Sequence, residues 1–257
     1  MRLVTQEHID GLKHLLIPVA DDEWMMGHRG SEWLALAPDL EEDLALSSLS
    51  QDEMGHAQLF YDLAHGLGER EADYQVYHRP ADRWHHAALT ARPRDGWAEW
   101  VVRRYLYEIF DSVRRRAFSQ IPYPPLLAAL KKMDLEESYH LTHSRSLMRA
   151  LAFGGSESRA YLDQALKTDW PLVPDFFEWS GPDDFWAGFA VHDLAPSVMR
   201  SNVQSVVQRD FSDWGIAWPG DFGPASRKAR HHIGSDELAA LLNEMREVRQ
   251  VAPASNW

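Results

Sequence analysis

Two long stretches of this sequence have apolar residues at the 3,4 spacing of an amphipathic helix, and a glutamate and a histidine interrupt each stretch. The first contains Leu46, Leu49, Glu53, His56, Phe60, Leu63 and Leu67, and the second contains Leu126, Leu130, Met133, Glu137, His140, Ser144, Leu147 and Leu151. Residues at i and i+3 share a helix face, so each Glu–His pair is predicted to point into the core. Because ionised groups in a core are costly unless they are paired or bound to metal, both pairs need a neutralising partner.

Two more glutamates match these pairs in register. Glu23 follows Leu12, Leu16 and Val19 on one predicted helix face, and Glu108 follows Ala98, Val101 and Tyr105 on another. Glu23 precedes Glu53 by 30 residues, and Glu108 precedes Glu137 by 29. The midpoints fall at Pro38 and at residues 122–123, among prolines that stop helices. Residues equidistant from a turn lie at equal depth in an antiparallel pair, so each hairpin brings three side chains to one level.

These six side chains form a candidate ligand set for two iron ions: Glu23, Glu53, His56, Glu108, Glu137 and His140. Di-iron bundles use one Glu from each of two helices and Glu-x-x-His from each of the other two. Carboxylate and imidazole ligands suit iron, with manganese possible and zinc a rival. Four carboxylates and two ferrous ions would balance in charge. The alternative is a metal-free bundle in which these polar residues pair with one another.

Asp52 and Glu136 each directly precede a candidate ligand. A carboxylate behind a metal-bound imidazole commonly accepts its second N–H and so fixes the tautomer of the ring. Both acids are therefore predicted to support the two histidines of the candidate site.

Proline and glycine divide a mostly helical sequence in which strand-like alternation is scarce, so we expect an all-α protein. The predicted helices cover residues 5–30 (with a break near Pro18), 39–65, 95–119, 125–153, 156–168, 183–210 and 235–249. Asp95 is the predicted N-cap of the third. We expect one ferritin-like domain over residues 1–257, with a four-helix bundle over about 5–153 and a C-terminal helical extension over about 156–257.

Composition excludes several classes of protein. The 257 residues include no cysteine, so a disulfide framework, an iron–sulfur cluster and a thiolate nucleophile are excluded. A net charge of −13 argues against a nucleic-acid-binding protein. The sequence has no membrane-spanning apolar run and no signal-peptide core at its N-terminus, so we expect a cytoplasmic location.

The other basic residues and histidines singled out in the sequence are not assigned to a functional site. The basic runs Arg114–Arg116 and Lys131–Lys132 are interpreted as solvated helix faces. The remaining histidines are interpreted as surface or ordinary packing residues, namely His8, His14, His28, His65, His78, His85, His86, His143, His192, His231 and His232.

Several segments resemble the phenylacetyl-CoA epoxidase family. Residues 51–56 (QDEMGH), with Leu59, Tyr61 and Leu67–Gly68, resemble the first metal motif of its catalytic subunit, PaaA, and residues 132–140 (KMDLEESYH) resemble the second. Residues 32–33, 37–41, 43–46 and 253–257 are more similar to the companion subunit, PaaC. The resemblance covers residues 20–150 well and the C-terminal third loosely.

This resemblance implies a ferritin-like fold and a place in bacterial phenylacetate catabolism. In that family the catalytic subunit inserts one oxygen atom of O2 into the ring of phenylacetyl-CoA, giving an epoxide. Electrons come from NADPH through a separate flavin and iron–sulfur reductase. The PaaC-type subunit has the same fold, has generally lost its iron ligands and is a structural partner, whereas this chain has all six. The implied partners are PaaA/PaaC-type subunits in a homodimer or hetero-oligomer, the reductase, an aryl-CoA and O2.

Three functions are therefore expected in competition. The first is an oxygen-activating di-iron monooxygenase subunit. The second is a PaaC-type scaffold that orients a catalytic homologue, for which the many aromatic residues offer interface area. The third is a ferroxidase or iron-binding protein, which would use the same ligand set. The sequence has no Gly-rich phosphate loop, so electrons are expected to come from another protein.

Overall fold

The computed structural model describes residues 6–179, 184–225, 230 and 236–251, and over these residues the protein is all-α, as predicted. The α-helices are α1 (Gln6–Ser31), α2 (Leu40–His65), α3 (Ala72–Tyr77), α4 (Trp97–Phe118), α5 (Pro124–Phe153), α6 (Ser156–Asp169), α7 (Pro196–Asp213) and α8 (Asp236–Val251). Short 3-10 helices cover Ala81–Arg83, Trp170–Phe177, Phe185–Phe189 and His192–Leu194. None of the helices in the described part of the chain is both long and apolar enough to cross a membrane.

Two helical hairpins form the ferritin-like four-helix bundle. Helix α1 packs along α2, α4 packs along α5, and α2 contacts α5 between the hairpins. The predicted seams face the core, because Leu46, Leu49, Phe60, Leu126 and Met133 are all almost fully buried. Toward the ends of the seams Leu63, Leu67, Leu147 and Leu151 are only partly buried. The apolar stripes therefore pack most tightly around the level of the Glu–His pairs.

The turn between α1 and α2 lies where the midpoint argument placed it. Residues 32–39 connect the two helices, and the Asp39 carboxylate accepts a hydrogen bond of 2.9 Å from the backbone N–H of Glu42. Such an N-cap satisfies one orphan donor of the first turn and stabilises a helix by about 1 kcal/mol. Acids at Glu41, Glu42 and Asp43 further favour the positive end of the α2 dipole.

Three details of the predicted helices were wrong. Helix α1 continues through Pro18, because its neighbours Leu15, Leu16 and Val19 are buried and packing outweighs the one lost backbone hydrogen bond. Gly96, not Asp95, occupies the N-cap of α4; the Asp95 carboxylate instead binds Arg103 at 3.0 and 3.1 Å.

The third error concerns the segment predicted as one helix over 183–210. Its described residues, 184–210, contain two short 3-10 helices followed by α7, which begins at Pro196. Proline is well suited to the first position of a helix and poorly suited to its interior, so the regular helix starts there.

The C-terminal helices cover the bundle on the side of α4. Helices α6 and α7 both contact α4, and Trp170, Phe211, Trp218 and Phe222 form an aromatic cluster beside them. Helix α8 contacts α3, and its Leu238, Leu241 and Leu242 pack with Met25 and Trp84 in a second small core. Helix α4 is consequently enclosed on nearly all sides.

The close contact of α1 with α2 at Gly27 gives a test of the packing. A Cβ atom on Gly27 would lie 2.9 Å from the backbone oxygen of Ser50 and 3.1 Å from the Cβ of Glu53. We expect Gly27→Ala to lower the free energy of unfolding by about 1–3 kcal/mol, because the helices must separate. Urea denaturation measures this change.

Gly55→Ala on α2 is the matched control, since a Cβ atom there meets no heavy atom within 4 Å. We expect it to be neutral or to stabilise the helix by up to about 1 kcal/mol. Equal effects of the two substitutions would contradict the close contact at Gly27.

Candidate metal centre

The six predicted ligand residues converge at one level of the bundle. Glu23 lies on α1, Glu53 and His56 on α2, Glu108 on α4, and Glu137 and His140 on α5. Each has at most 2% of its surface exposed. The structure thus brings all six side chains together, as the equal-depth argument predicted.

Their ligand atoms form two groups that could each hold a metal ion. Group A contains Glu23, Glu53, His56 and Glu137, and group B contains Glu53, Glu108 and His140. Within each group the ligand atoms lie within 4.8 Å of one another. Glu53 belongs to both groups and therefore lies between the two positions.

Both histidines turn Nδ1 toward the carboxylates. In group A, the Nδ1 of His56 is 2.9 Å from Oε1 of Glu137 and 3.9 Å from Oε2 of Glu53. In group B, the Nδ1 of His140 is 3.5 Å from Oε1 of Glu53. The two oxygens of Glu53 therefore face different imidazoles.

The inward-facing atoms fit a cation. Of the buried side-chain atoms that lack an aligned hydrogen-bond partner among the described residues, eight belong to the six predicted ligand residues: Oε2 of Glu23, both carboxylate oxygens of Glu53 and of Glu108, Oε1 of Glu137, and Nδ1 of His56 and of His140. Buried polar atoms without an aligned hydrogen bond are uncommon in folded proteins, and the eight gathered here mark a place where lone pairs converge. Oxygen and imidazole donors of this kind suit iron or manganese.

The predicted supporting acids make their hydrogen bonds crosswise between α2 and α5. The Nε2 of His56 on α2 lies 2.9 Å from Oε2 of Glu136 on α5. The Nε2 of His140 on α5 lies 3.2 Å from Oδ2 of Asp52 on α2. An N–H on Nε2 that donates to these acids leaves Nδ1 free to act as a ligand.

Three arginines of α4 lie among the candidate ligands, and the sequence analysis did not place them there. Arg104 contacts Glu53 and Glu108, Arg114 binds Glu23, and Arg115 contacts Glu137. The interpretation of Arg114–Arg116 as a solvated face was wrong for Arg114, which is 1% exposed, and for the half-buried Arg115; Arg116 is exposed.

A sequence signal for these arginines exists in the spacing of α4. Arg104, Glu108, Asp111 and Arg115 recur at intervals of four, three and four residues, so they share one helix face. Asp111 is buried and binds Arg114 and Arg115. A charge balance of four carboxylates against two ferrous ions therefore omits groups that touch the site.

Arg114 and Arg115 hold the outer oxygens of two candidate ligands. The Nη2 of Arg114 donates to Oε1 of Glu23 at 3.0 Å, and the Nη2 of Arg115 lies 3.3 Å from Oε2 of Glu137. In each glutamate the other oxygen is one of the eight inward atoms. The arginines thus orient one oxygen of each carboxylate toward the centre.

Two acids next to Glu23 anchor the segment that follows α3. Asp21 accepts hydrogen bonds from Tyr61, Arg79 and the backbone of His85, and Asp22 accepts from the backbone of Ala87. Both acids are fully buried. They fix the depth of Glu23 through contacts far away in the sequence.

Burial and neighbouring charges shift the pKa values of the candidate ligand carboxylates in different directions. Burial raises the pKa of Glu108 to about 8, against the opposing charge of Arg104. Burial and the charge of Glu53 raise the pKa of Glu23 well above its usual range. Burial also acts to raise the pKa of Glu53, but the charge of Arg104 outweighs burial and holds this pKa well below its usual range. Glu53 is therefore the carboxylate that stays ionised most readily.

The imidazoles respond to the same carboxylates. Burial lowers the pKa of His56, but the carboxylates of Glu137 and Glu53 outweigh it and raise the pKa to about 9. Burial also opposes protonation of His140, whose pKa the carboxylate of Glu53 raises to about 9. Metal binding at Nδ1 would therefore displace protons.

Comparison with known proteins gives a family. The family model described as "Phenylacetic acid catabolic protein" matches residues 2–257. The C subunit of 1,2-phenylacetyl-CoA epoxidase from Escherichia coli (strain K12) is 24% identical over 244 residues, which are 93% of this chain and 96% of that relative. The A subunit of the same epoxidase is 29% identical over 179 residues, which are 69% of this chain and 56% of that relative.

The structure also bears on histidines outside the candidate site. His86 is buried against Trp84, and the Nε2 of His143 lies 3.0 Å from Glu42, so both act in packing or pairing. His231, His232 and the segment 253–257 lie outside the described residues.

The raised pKa values predict how stability depends on pH once a chelator has removed metal. The folded-state pKa of His56 and of His140 is about 9, above the 6.5 of a free imidazole. Their contribution to stability is fully present below about pH 6.5 and is lost as the pH rises through about 9. Glu108, with its pKa raised to about 8, acts in the same direction. We expect the free energy of unfolding to fall by a few kcal/mol between pH 6.5 and 9.5, measured by urea denaturation.

His56→Asn should make this dependence shallower, because the amide does not titrate while His140 and Glu108 still do. His65→Asn, an exposed position on the same helix, is the control and should leave the dependence unchanged. A wild-type stability that rises over this pH range would contradict the assignment.

Proposed function

The chain belongs to the phenylacetic acid catabolic protein family, and we propose that it is an oxygen-activating di-iron monooxygenase subunit of a phenylacetyl-CoA epoxidase-type complex. Its reaction would be ring 1,2-epoxidation of an aryl-CoA. The observation on which the proposal rests is the convergence of eight inward ligand atoms from six residues of four helices. The likeness to two subunits of one epoxidase supports the reaction class.

Groups A and B would each hold one iron ion, with Glu53 shared between them. Iron supplies activation of O2 when it is bound, and the chain supplies the environment. Ligand residues with at most 2% exposure keep bulk water away from the centre.

The surrounding residues would keep the ligands in place during turnover. Asp52 and Glu136 hold the outer nitrogens of His140 and His56. Arg114 holds the outer oxygen of Glu23. Supporting contacts of this kind commonly change metal affinity or activity by about 10- to 100-fold when they are removed.

Partners complete the proposal. A cytoplasmic complex with homologous PaaA/PaaC-type subunits would present the aryl-CoA, and a separate NADPH-dependent flavin and iron–sulfur reductase would supply electrons. The names of both relatives as subunits of an epoxidase support assembly with partners.

A second candidate function is that of a PaaC-type scaffold. The alignment with the C subunit of the epoxidase favours it, because that alignment extends over nearly the whole of both chains, whereas this chain spans about half of the length of the A subunit. In this role the buried cluster would stabilise the bundle, and a homologous partner would perform the reaction. The ferroxidase role stays a prediction.

Iron content tests the leading proposal. After anaerobic loading with ferrous iron and removal of excess metal, we expect about two iron ions per chain. Glu53→Ala should lose most of this iron, since Glu53 belongs to both groups. Glu41→Ala, at an exposed position on the same helix, should bind as the wild type does. An iron content far below two that Glu53→Ala leaves unchanged would sink the di-iron proposal.

Turnover separates the catalytic role from the scaffold role. In a complex reconstituted with the homologous subunits and the reductase, His140→Ala in this chain should reduce aryl-CoA epoxidation at least about 100-fold, because His140 is a proposed ligand. Epoxide formation is measured by mass spectrometry, and Glu41→Ala again serves as control. Full turnover by the His140→Ala complex would assign this chain to the scaffold role.

A further inference from the structure

Arg104 lies between two candidate ligands of group B. It is on α4, one turn before Glu108, and only 2% of its surface is exposed. Its Nη2 is 2.5 Å from Oε1 of Glu53 and 2.6 Å from Oε1 of Glu108. The third member of group B, His140, points its Nδ1 at the same Oε1 of Glu53, 3.5 Å away. A metal ion in group B that used Oε1 of Glu53 or Oε1 of Glu108 would therefore compete with the guanidinium for that oxygen.

The arginines near group A contact its glutamates from the outer side. Arg114 and Arg115 approach Glu23 and Glu137 from outside and hold the oxygens that face away from the centre. The Oε2 of Glu53, which faces His56 at 3.9 Å, is likewise not the oxygen that Arg104 contacts. The arginines thus contact the outer oxygens of group A, whereas in group B a guanidinium contacts two inward oxygens, Oε1 of Glu53 and Oε1 of Glu108.

The way Arg104 is held also differs from that of a structural arginine. Arg114 makes directed hydrogen bonds to Asp111, Asp22, Glu23 and Tyr107 at 2.6–3.0 Å. By contrast, Nε and Nη2 of Arg104 have no aligned hydrogen-bond partner among the described residues. Arg104 is therefore held at Glu53 and Glu108 mainly by charge, and a competing cation can replace that attraction.

Charge makes the competition strong. A guanidinium does not lose its proton in proteins, so Arg104 cannot become neutral to admit a metal ion. Two cations a few ångströms apart repel each other far more in a protein interior than in water. The side chain must move away from Oε1 of Glu53 before a divalent ion can use that oxygen.

We propose that Arg104 is an internal counter-cation that competes with metal for group B, so that the two groups fill unequally. Group A binds first, and group B binds only as the Arg104 side chain withdraws. This inference rests on the proposed metal-binding function and adds an order of loading to it. Arg104 is accordingly a residue that regulates metal occupancy and not itself a ligand.

Metal titration of the full chain tests the order of loading. After chelator treatment, Co²⁺ is added and binding is followed by calorimetry and by the visible absorption of the bound ion. We expect two classes of site in the wild type whose dissociation constants differ by at least about tenfold. In Arg104→Gln the weaker class should tighten by about tenfold or more, so that the two classes approach each other.

Arg103→Gln is the matched control. It removes a buried guanidinium charge from the neighbouring position of α4, where the side chain binds Asp95 and not a candidate ligand. We expect the weaker class to change by less than about threefold in this variant. Circular dichroism checks the folding of each variant; Arg104→Met, of similar length and without charge, replaces Arg104→Gln if that variant does not fold.

The outcomes separate the two proposals. Two classes of site in the wild type that approach each other in Arg104→Gln support the competition. Two equivalents of equal affinity in the wild type overturn it and leave the di-iron proposal standing. Equal tightening in Arg104→Gln and Arg103→Gln also overturns it, in favour of a general effect of charge. No Co²⁺ binding by the wild type or by either Arg104 variant overturns both proposals.

Discussion

The structure depends on the need to neutralise a set of carboxylates at the centre of a helical bundle. Burial of a carboxylate without a partner is strongly unfavourable, and several of them at one level also repel each other. The contacts that solve this problem are the contacts that join the two hairpins. Arg114 of α4 reaches Glu23 of α1, Arg104 of α4 reaches Glu53 of α2, and His56 of α2 reaches α5. The same contacts therefore set both the relative placement of the helices and the geometry of the cluster.

The sequence predicted the six central residues because their positions obey a simple geometric rule. Residues equidistant from a proline-marked turn face each other at one depth, and this rule needs no knowledge of side-chain contacts. Helix α4 shows the limit of the same approach. Its apolar stripe is unclear because α6 and α7 cover its other side, so residues 100–111 are all buried. A helix that is buried all round has no face that amphipathicity can identify.

Long-range polar contacts explain the remaining differences from the sequence prediction. Asp95 matched the pattern of an N-cap, but Arg103 binds its carboxylate, and a local propensity cannot include that competitor. The segment after α3 is held by Asp21 and Asp22, which lie more than 60 residues earlier in the chain than His85 and Ala87. Arg230 also binds Asp22, at 2.8 Å, from the far end of the chain. Periodicity predicts helices well, whereas ion pairs of this range follow only from the assembled fold.

Charge accounting links the arginines to the metal question. If all five acids were ionised, Glu23, Glu53, Glu108, Glu137 and Asp111 would bring five negative charges, against three positive ones from Arg104, Arg114 and Arg115. Two protonated imidazoles bring this cluster to neutrality, and so does one divalent ion with both imidazoles neutral. In that ionisation state the first ion exchanges for two imidazole protons at constant buried charge. A second ion adds charge to a centre that is already neutral, and it does so beside Arg104. Arg104 contacts one oxygen of Glu53 and one of Glu108. If Arg104 keeps these oxygens, the bundle is stabilised by ion pairs; if a second metal ion takes them, the bundle holds a di-iron centre.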